Sequence, residues 1–376
     1  MSNIIIRNCC SICNQDKLNA IFNLNNIPVN LNYSSTIENY KYENLSFVQC
    51  ECCNTIQLDR LIQLPILYGQ SHNIKSVGKL WNNYFDLLIP KIQSSINDKT
   101  ILEIGCPSGK IALNCKNYKK WYIVDPNVNL SLNEYGNIIP IKNFIDNNFE
   151  INDNIDIIVH SHLLEHIYEP NLFLKKCFDL LNENGEMIFG IPNMESIAEN
   201  NICLFLGMCF EHTIFLNKEI VSYILSKNGF KIKEMIDYEN HSIIYHVKKH
   251  IIYQLYTDIK IKNYYNQFFN GVNVYNKFID DCNKIIKNST KPVFIFGASN
   301  STQFLLSMGI SENSLNGIID NCEKKQNKYF YGFNLIIYSA YKLLEKDSIV
   351  IIKNSFYVNE ITEQIRKINY NTIILN

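Results

Sequence analysis

The stretch "KTILEIGCPSGKIALNC", Lys99 to Cys115, decides the fold of this chain. Thr100 to Glu103 reads as a buried strand, and the chain then turns through Gly105 and Gly109 into a segment with helical apolar spacing. A glycine turn between a strand and a helix lets backbone approach a ligand closely. The turn is Glu103-x-Gly105-x-x-x-Gly109 and lacks G-x-G-x-x-G, so the tight pyrophosphate cradle of a dinucleotide site is not supported.

Downstream, "WYIVD" predicts a second strand ending at Asp125, where a carboxylate can accept both hydroxyls of a ribose. An acidic residue there, with no phosphate-binding triplet before it, suits a nucleoside without phosphates, and S-adenosylmethionine is the natural candidate. "IIPIK", "IDIIVH", a helix over "NLFLKKCFDLLNENG" and "EMIFGIP" continue the alternation, followed by a helix ending near Gly229 and a further strand. That order predicts a parallel sheet with helices on both faces. Residues 250 to 290 are polar, rich in Tyr and Lys, and read as helical. At "KPVFIFGASNSTQFLLSMGI" the strand, small-residue turn and helix begin again, and "LNGIIDN", "SIVIIKN" and "NTIILN" extend them into a second, smaller parallel sheet.

A chain of 376 residues exceeds one ordinary core, so two or three domains are expected. The net charge of −1 offers no basic field to nucleic acid or to an anionic membrane. No apolar run approaches the ~20 residues of a membrane span. "MSNIIIRNCC" has too short an apolar patch for a signal peptide, so a cytoplasmic protein with reduced cysteines is expected. Cys10-x-x-Cys13 and Cys50-x-x-Cys53 are then read as two knuckles that bring four thiolates to one structural zinc. Each is followed by Asn, a residue that tolerates the left-handed conformation of a tight turn. Cys9 and Cys52 do not fit the spacing.

Residues 100 to 195 resemble the class I S-adenosylmethionine-dependent methyltransferases, and "LLEHIYEPNLFL" is close to the signature that follows their fourth strand. The resemblance implies that Glu103, Gly105, Gly109 and Asp125 bind the cofactor, with Phe144 of "NFIDN" and Asp146 toward adenine. His160 is placed with the cofactor-binding residues; His162 and His166 of the same cluster are read as capping, packing or cleft lining. The whole chain resembles the three-domain sugar C-methyltransferases of deoxysugar biosynthesis. The resemblance divides it into a zinc-binding domain (1–75), a methyltransferase domain (76–248) and a helical connection with a Rossmann-like domain (249–376). It implies a nucleotide sugar as acceptor, held with help from Gly297, Ser299 and Asn300, and an Asp320–Lys324 pairing in the last domain. "NSFYVNEI", 354 to 361, resembles a loop near that domain's end.

The family's Tyr-x-Glu-His stretch appears here as Cys209-Phe210-Glu211-His212, and its Gly-Ser-x-Arg as His241-Ser242-Ile243-Ile244. His212 is therefore the expected base, with Glu211 orienting it or acting in its place. Removal of a proton beside a keto group gives an enolate able to attack the methyl group; removal from a hydroxyl gives O-methylation. An O- or N-methyltransferase of another small acceptor and a non-catalytic zinc-containing binding protein are the alternatives.

Overall fold

The computed structural model describes residues 4–30, 33–68, 79–130, 136–200, 207–250, 261–353 and 357–376. The expected boundary at 75/76 lies outside them, and the one at 248/249 falls at the end of the strand Ser242–Lys249.

Seven strands form the central sheet, in the spatial order Phe230–Tyr238, Ser242–Lys249, Leu181–Pro192, Ile155–Ser161, Thr100–Ile104, Lys120–Val124, Ile138–Ile141. Thr100–Ile104 is buried along its whole length, as a strand covered on both faces must be. The helices Pro170–Leu180 and Lys218–Lys227 bury Phe173, Leu174, Ile220 and Ile224 against one face, while Tyr84, Leu88 and Ile92 of the helix Lys79–Gln93 pack on the other. Helices on both faces were expected.

Three expectations are corrected. The sheet is mixed: Ser242–Lys249 runs antiparallel to both neighbours, because the short turn at Glu239 (φ 48°) folds it straight back along Phe230–Tyr238. No α-helix follows Gly109 before the next strand. The chain reverses at Asn117 (φ 61°) to enter the strand at Lys120, and the interval holds a single 3-10 turn, Ala112–Asn114. The helix begun at Pro170 stops at Leu180, short of "NENG", where Asn182 Oδ1 accepts a hydrogen bond from the Asn184 N–H at 3.0 Å. Such local side-chain bonds compete with helix continuation.

Leu18–Pro28, Tyr42–Cys50 and Ile56–Leu58 make a three-stranded antiparallel sheet near the N-terminus. After the helix Tyr265–Lys287, five strands form the second sheet, all parallel, in the order Ile337–Tyr338, Gly317–Ile319, Val293–Phe296, Ile349–Ile351, Ile373–Leu375. Residues 354–356 of the quoted loop lie outside the described residues, and the helix Val358–Ile368 begins within its remainder. N- and C-terminal parts touch directly: Tyr33–Ser34 pairs with Tyr329–Phe330, and the Tyr42 hydroxyl donates to Gly332 O at 2.8 Å. Among the described residues no helix is long and apolar enough to cross a membrane.

Candidate active site

The order of the central sheet reverses between Thr100–Ile104 and Ile155–Ser161, and ligands of open α/β sheets bind outside the carboxyl ends of strands at such a switch point. Gly105, Asp125, Phe144 and the stretch His162–His166 all follow the carboxyl ends of adjacent strands there. Gly105 (φ 79°) and Gly109 (φ 64°) need the left-handed region, and a Cβ on Gly109 would meet Leu130 Cδ1 at 2.6 Å. Asp125 is nearly covered; its Oδ1 accepts from the Asn127 N–H at 2.6 Å, and burial raises its carboxyl above the ordinary range. Phe144 is exposed on the loop beyond Ile138–Ile141.

Two expected cofactor residues are buried. Glu103 is fully enclosed beneath the turn, where Oε2 accepts from the Trp121 indole at 2.8 Å and burial pushes its carboxyl up to about 7. It braces the turn from below. His160 points into the core, stacked on Phe189 (4.6 Å between centroids) and edge-on to Phe173 (5.8 Å). Burial holds its imidazolium form off until about pH 3, and neither ring nitrogen has a hydrogen-bond partner among the described residues. Strand alternation explains its burial, since His160 shows one face of the sheet and Ser161 the other.

Beyond that strand lies a cluster whose full membership the sequence hid. One carboxylate oxygen of Glu165 and one ring nitrogen each of His166 and His212 lie within 4.8 Å of one another. The rings of His166 and His212 are 4.5 Å apart, edge to face. His212 Nδ1 is 3.0 Å from Gly207 O. A carbonyl only accepts, so Nδ1 carries the hydrogen and Nε2 of the neutral ring carries the lone pair. Tyr68 OH and His166 Nδ1 are 2.9 Å apart, and Tyr68 O accepts from Asn127 Nδ2 at 3.3 Å. A chain of contacts thus runs from the Asp125 turn to His212. Burial pushes the Glu165 carboxyl up, but His162, at 3.3 Å, outweighs it and, with His166 and His212 when those rings are protonated, holds the group near 2.

His166, expected to cap, pack or line the cleft, thus stands beside His212, while nothing in the sequence pointed to Glu165 or Tyr68 as its neighbours. Through its other nitrogen His162 also joins His241 by way of Ser242 Oγ, 2.9 Å from His162 Nε2 and 2.6 Å from His241 Nδ1, beside Trp81. Ile244 is buried in its strand. Cys209 is buried and its thiol pushed up to about 12, chiefly by desolvation. Glu211 lines a small hollow with Pro28, Leu45, Cys209 and Phe210, closed on the far side by Asn300 and Gln303 of the second sheet's domain.

In that domain Gly297 (φ 102°) makes the turn, and the Asp320 carboxylate is already engaged by the N–H groups of Ala298 and Cys322 at 2.8 Å. Its ion-pair partner is Lys325 (3.2 Å), not Lys324; the buried Lys325 also donates to Ala298 O at 2.8 Å, which orients it inward.

At the N-terminus the two knuckles are alike. Asn14 N–H donates to Cys10 O and Asn54 N–H to Cys50 O, each at 2.9 Å, with both asparagines at positive φ (64° and 59°). Cys10 and Cys53 sulfurs are 3.5 Å apart, as are those of Cys13 and Cys50, and all four lie within 4.8 Å. Sulfurs about 2.3 Å from a tetrahedral zinc would be about 3.8 Å from one another, so the set fits that ion. Cys9 and Cys52 are exposed and outside the cluster.

Residues 79–234 match a family described as a methyltransferase domain, and residues 219–373 match a C-methyltransferase C-terminal domain. No match was found among curated proteins. Among solved structures, the chain is similar to the N-methyltransferase NodS from Bradyrhizobium japonicum WM9 in complex with S-adenosyl-L-homocysteine. That alignment has 14% identity, 46% of this chain, 89% of that one and a TM-score of 0.36. An S-adenosylmethionine-dependent methyltransferase from Mesorhizobium loti aligns at 10% identity over 45% of this chain and 100% of that one, with a TM-score of 0.37.

Proposed function

We propose that this chain, an S-adenosylmethionine-dependent C-methyltransferase, acts on a nucleotide-linked deoxysugar and methylates the carbon beside its keto group. The observation that carries this reading is the meeting of His166, His212 and Glu165 next to a hollow that the second sheet's domain helps to close.

S-adenosylmethionine, when bound, supplies a methyl group made electrophilic by its sulfonium. Gly105 and Gly109 would lie along its methionine part, Asp125 would accept its ribose hydroxyls, and Phe144 would border adenine. Glu103 holds the glycine turn in shape through Trp121. The Nε2 lone pair of His212 takes the proton from the carbon beside the keto group, and His166 and Glu165 stabilise the imidazolium that results. Glu211 stands on the wall of the hollow, where it orients the base or the acceptor. Cys209, where the resembling family has tyrosine, stays a neutral buried thiol and takes no proton. Cys10, Cys13, Cys50 and Cys53 would hold a structural zinc, a full thiolate shell with no open position for chemistry.

The test is incubation with S-adenosylmethionine and a panel of nucleotide-linked 4-keto sugars in deuterated water. Gain of one methyl group on carbon, with deuterium exchange at that carbon, is expected. Methylation of other small acceptors but of no nucleotide sugar would overturn the reading.

A further inference from the structure

We propose that Arg7 is a positioning residue, whose guanidinium ties together the loops bearing His166 and His212 and sets the separation of their rings. The inference rests on the reading of those histidines as reacting groups.

Arg7 is buried at 5% exposure, and burial lowers its guanidinium to about 10, so it remains charged at neutral pH. Nη2 donates to Tyr168 O at 2.8 Å, and Nη1 donates to Leu58 O at 2.8 Å and to Thr213 O at 3.3 Å. Nη2 also lies 3.4 Å from Thr213 Oγ1. Tyr168 follows His166 by two residues and Thr213 directly follows His212. One planar cation therefore holds a carbonyl from each loop. A buried charge is costly, and here Nη1 and Nη2 are engaged while Nε has no hydrogen-bond partner among the described residues; the rigid fork of the two terminal nitrogens is what lets arginine span two acceptors at fixed spacing.

Arg7 is itself held firmly. Its N–H donates to Asp59 O at 2.7 Å, the strand before it pairs with Arg60–Ile62, and the Cys10 knuckle begins three residues later. The segment after the second knuckle grips the same loop from beside it. Leu58 N–H donates to Thr213 O (2.8 Å), Phe215 N–H donates to Ile56 O (2.9 Å), and Gln57 bridges Ile214. Tyr168 OH donates to Ile62 O at 2.7 Å, tying down the other loop. The N-terminal domain thus acts as the jig for the histidine pair, with Arg7 at the point where both loops meet it.

The experiment compares Arg7→Lys, which keeps charge and loses the fork, with Arg7→Met and His212→Gln in the full chain. Turnover is normalised to cofactor-binding sites counted by calorimetry. Both Arg7 variants should bind S-adenosylmethionine within twofold of the parent, with kcat lowered roughly 10–100-fold, less for lysine than for methionine, as a misplacement of about 1 Å can cost that much. A folded Arg7→Lys protein whose kcat per binding site lies within twofold of the parent would overturn the inference, provided His212→Gln is inactive. Should His212→Gln be active, the histidine reading falls instead. If Arg7→Met does not fold, Arg7→Lys decides alone; if neither folds, Arg7 serves the fold at large and the proposal is overturned.

Discussion

His166 and His212 meet edge to face, ring centroids 4.5 Å apart and planes at 87°, on the segments that follow the adjacent strands Ile155–Ser161 and Leu181–Pro192. Because Gly207 O engages Nδ1 of His212, Nε2 carries the lone pair of the neutral ring.

Replacing His212 with Gln should lower kcat by about 10²–10⁴, the usual range for a lost general base, while cofactor affinity barely changes. His166→Gln should cost a comparable factor, and the double variant far less than the product, since the two act as one unit. Single-turnover kinetics check this. A His212→Gln enzyme within threefold of the parent would remove the histidine from the chemistry.

Asp125→Ala should weaken S-adenosylmethionine binding by about 1.5–3 kcal/mol, through loss of charge-assisted hydrogen bonds to the ribose. Calorimetry decides, and unchanged affinity would place the ribose elsewhere.

Glu103 makes stability depend on pH in a defined window. In the unfolded chain it ionises near its ordinary value of 4.5, and in the folded protein near 7, so the native state holds the proton longer. Its contribution is full below about pH 4.5, declines as pH rises to about 7, and is lost above that. The loss is on the order of 3 kcal/mol. Glu103→Gln should flatten this slope and raise the melting temperature of the cofactor-free protein at pH 8. Chemical denaturation at pH 5 and pH 8 measures it, and parallel pH profiles for both proteins would refute the assignment.

His160 should matter to stability and little to the cofactor. His160→Ala removes a ring packed on Phe173 and Phe189 and should cost roughly 2–4 kcal/mol, by analogy with other large-to-small core changes. S-adenosylmethionine affinity should stay within twofold; a tenfold loss would return His160 to the cofactor site.

Purified protein should carry about one zinc per chain, bound by sulfur, and the Cys10→Ser/Cys13→Ser double variant should lose both metal and stability. Metal analysis finding none would dismiss the centre.

Much of this was legible in the residues. Period and punctuation revealed both sheets, and the spacing of Cys10, Cys13, Cys50 and Cys53 foretold a cluster that local turns alone can build. That Asp125 follows a strand's carboxyl end was legible because a strand end places its residue whatever the rest of the chain does. What could not be read was long-range. His166 and Tyr68 belong with His212 only through folding of remote segments. The core position of His160 depends on which face of the sheet its residue takes, a matter of strand parity that an error of one residue inverts. Lys325 rather than Lys324 meets Asp320 because a turn of a few residues chooses between neighbours by backbone detail.

The pairing of Ile56–Leu58 with residues 213–215 also bears on how the chain is made. A ribosome completes the docking edge long before the loop that docks on it, so the loop emerges onto a finished template. An excised fragment beginning at Lys79 would contain every strand of the central sheet yet lack that template. It would keep His212 yet lose the segment to which the loop bearing that histidine is hydrogen-bonded.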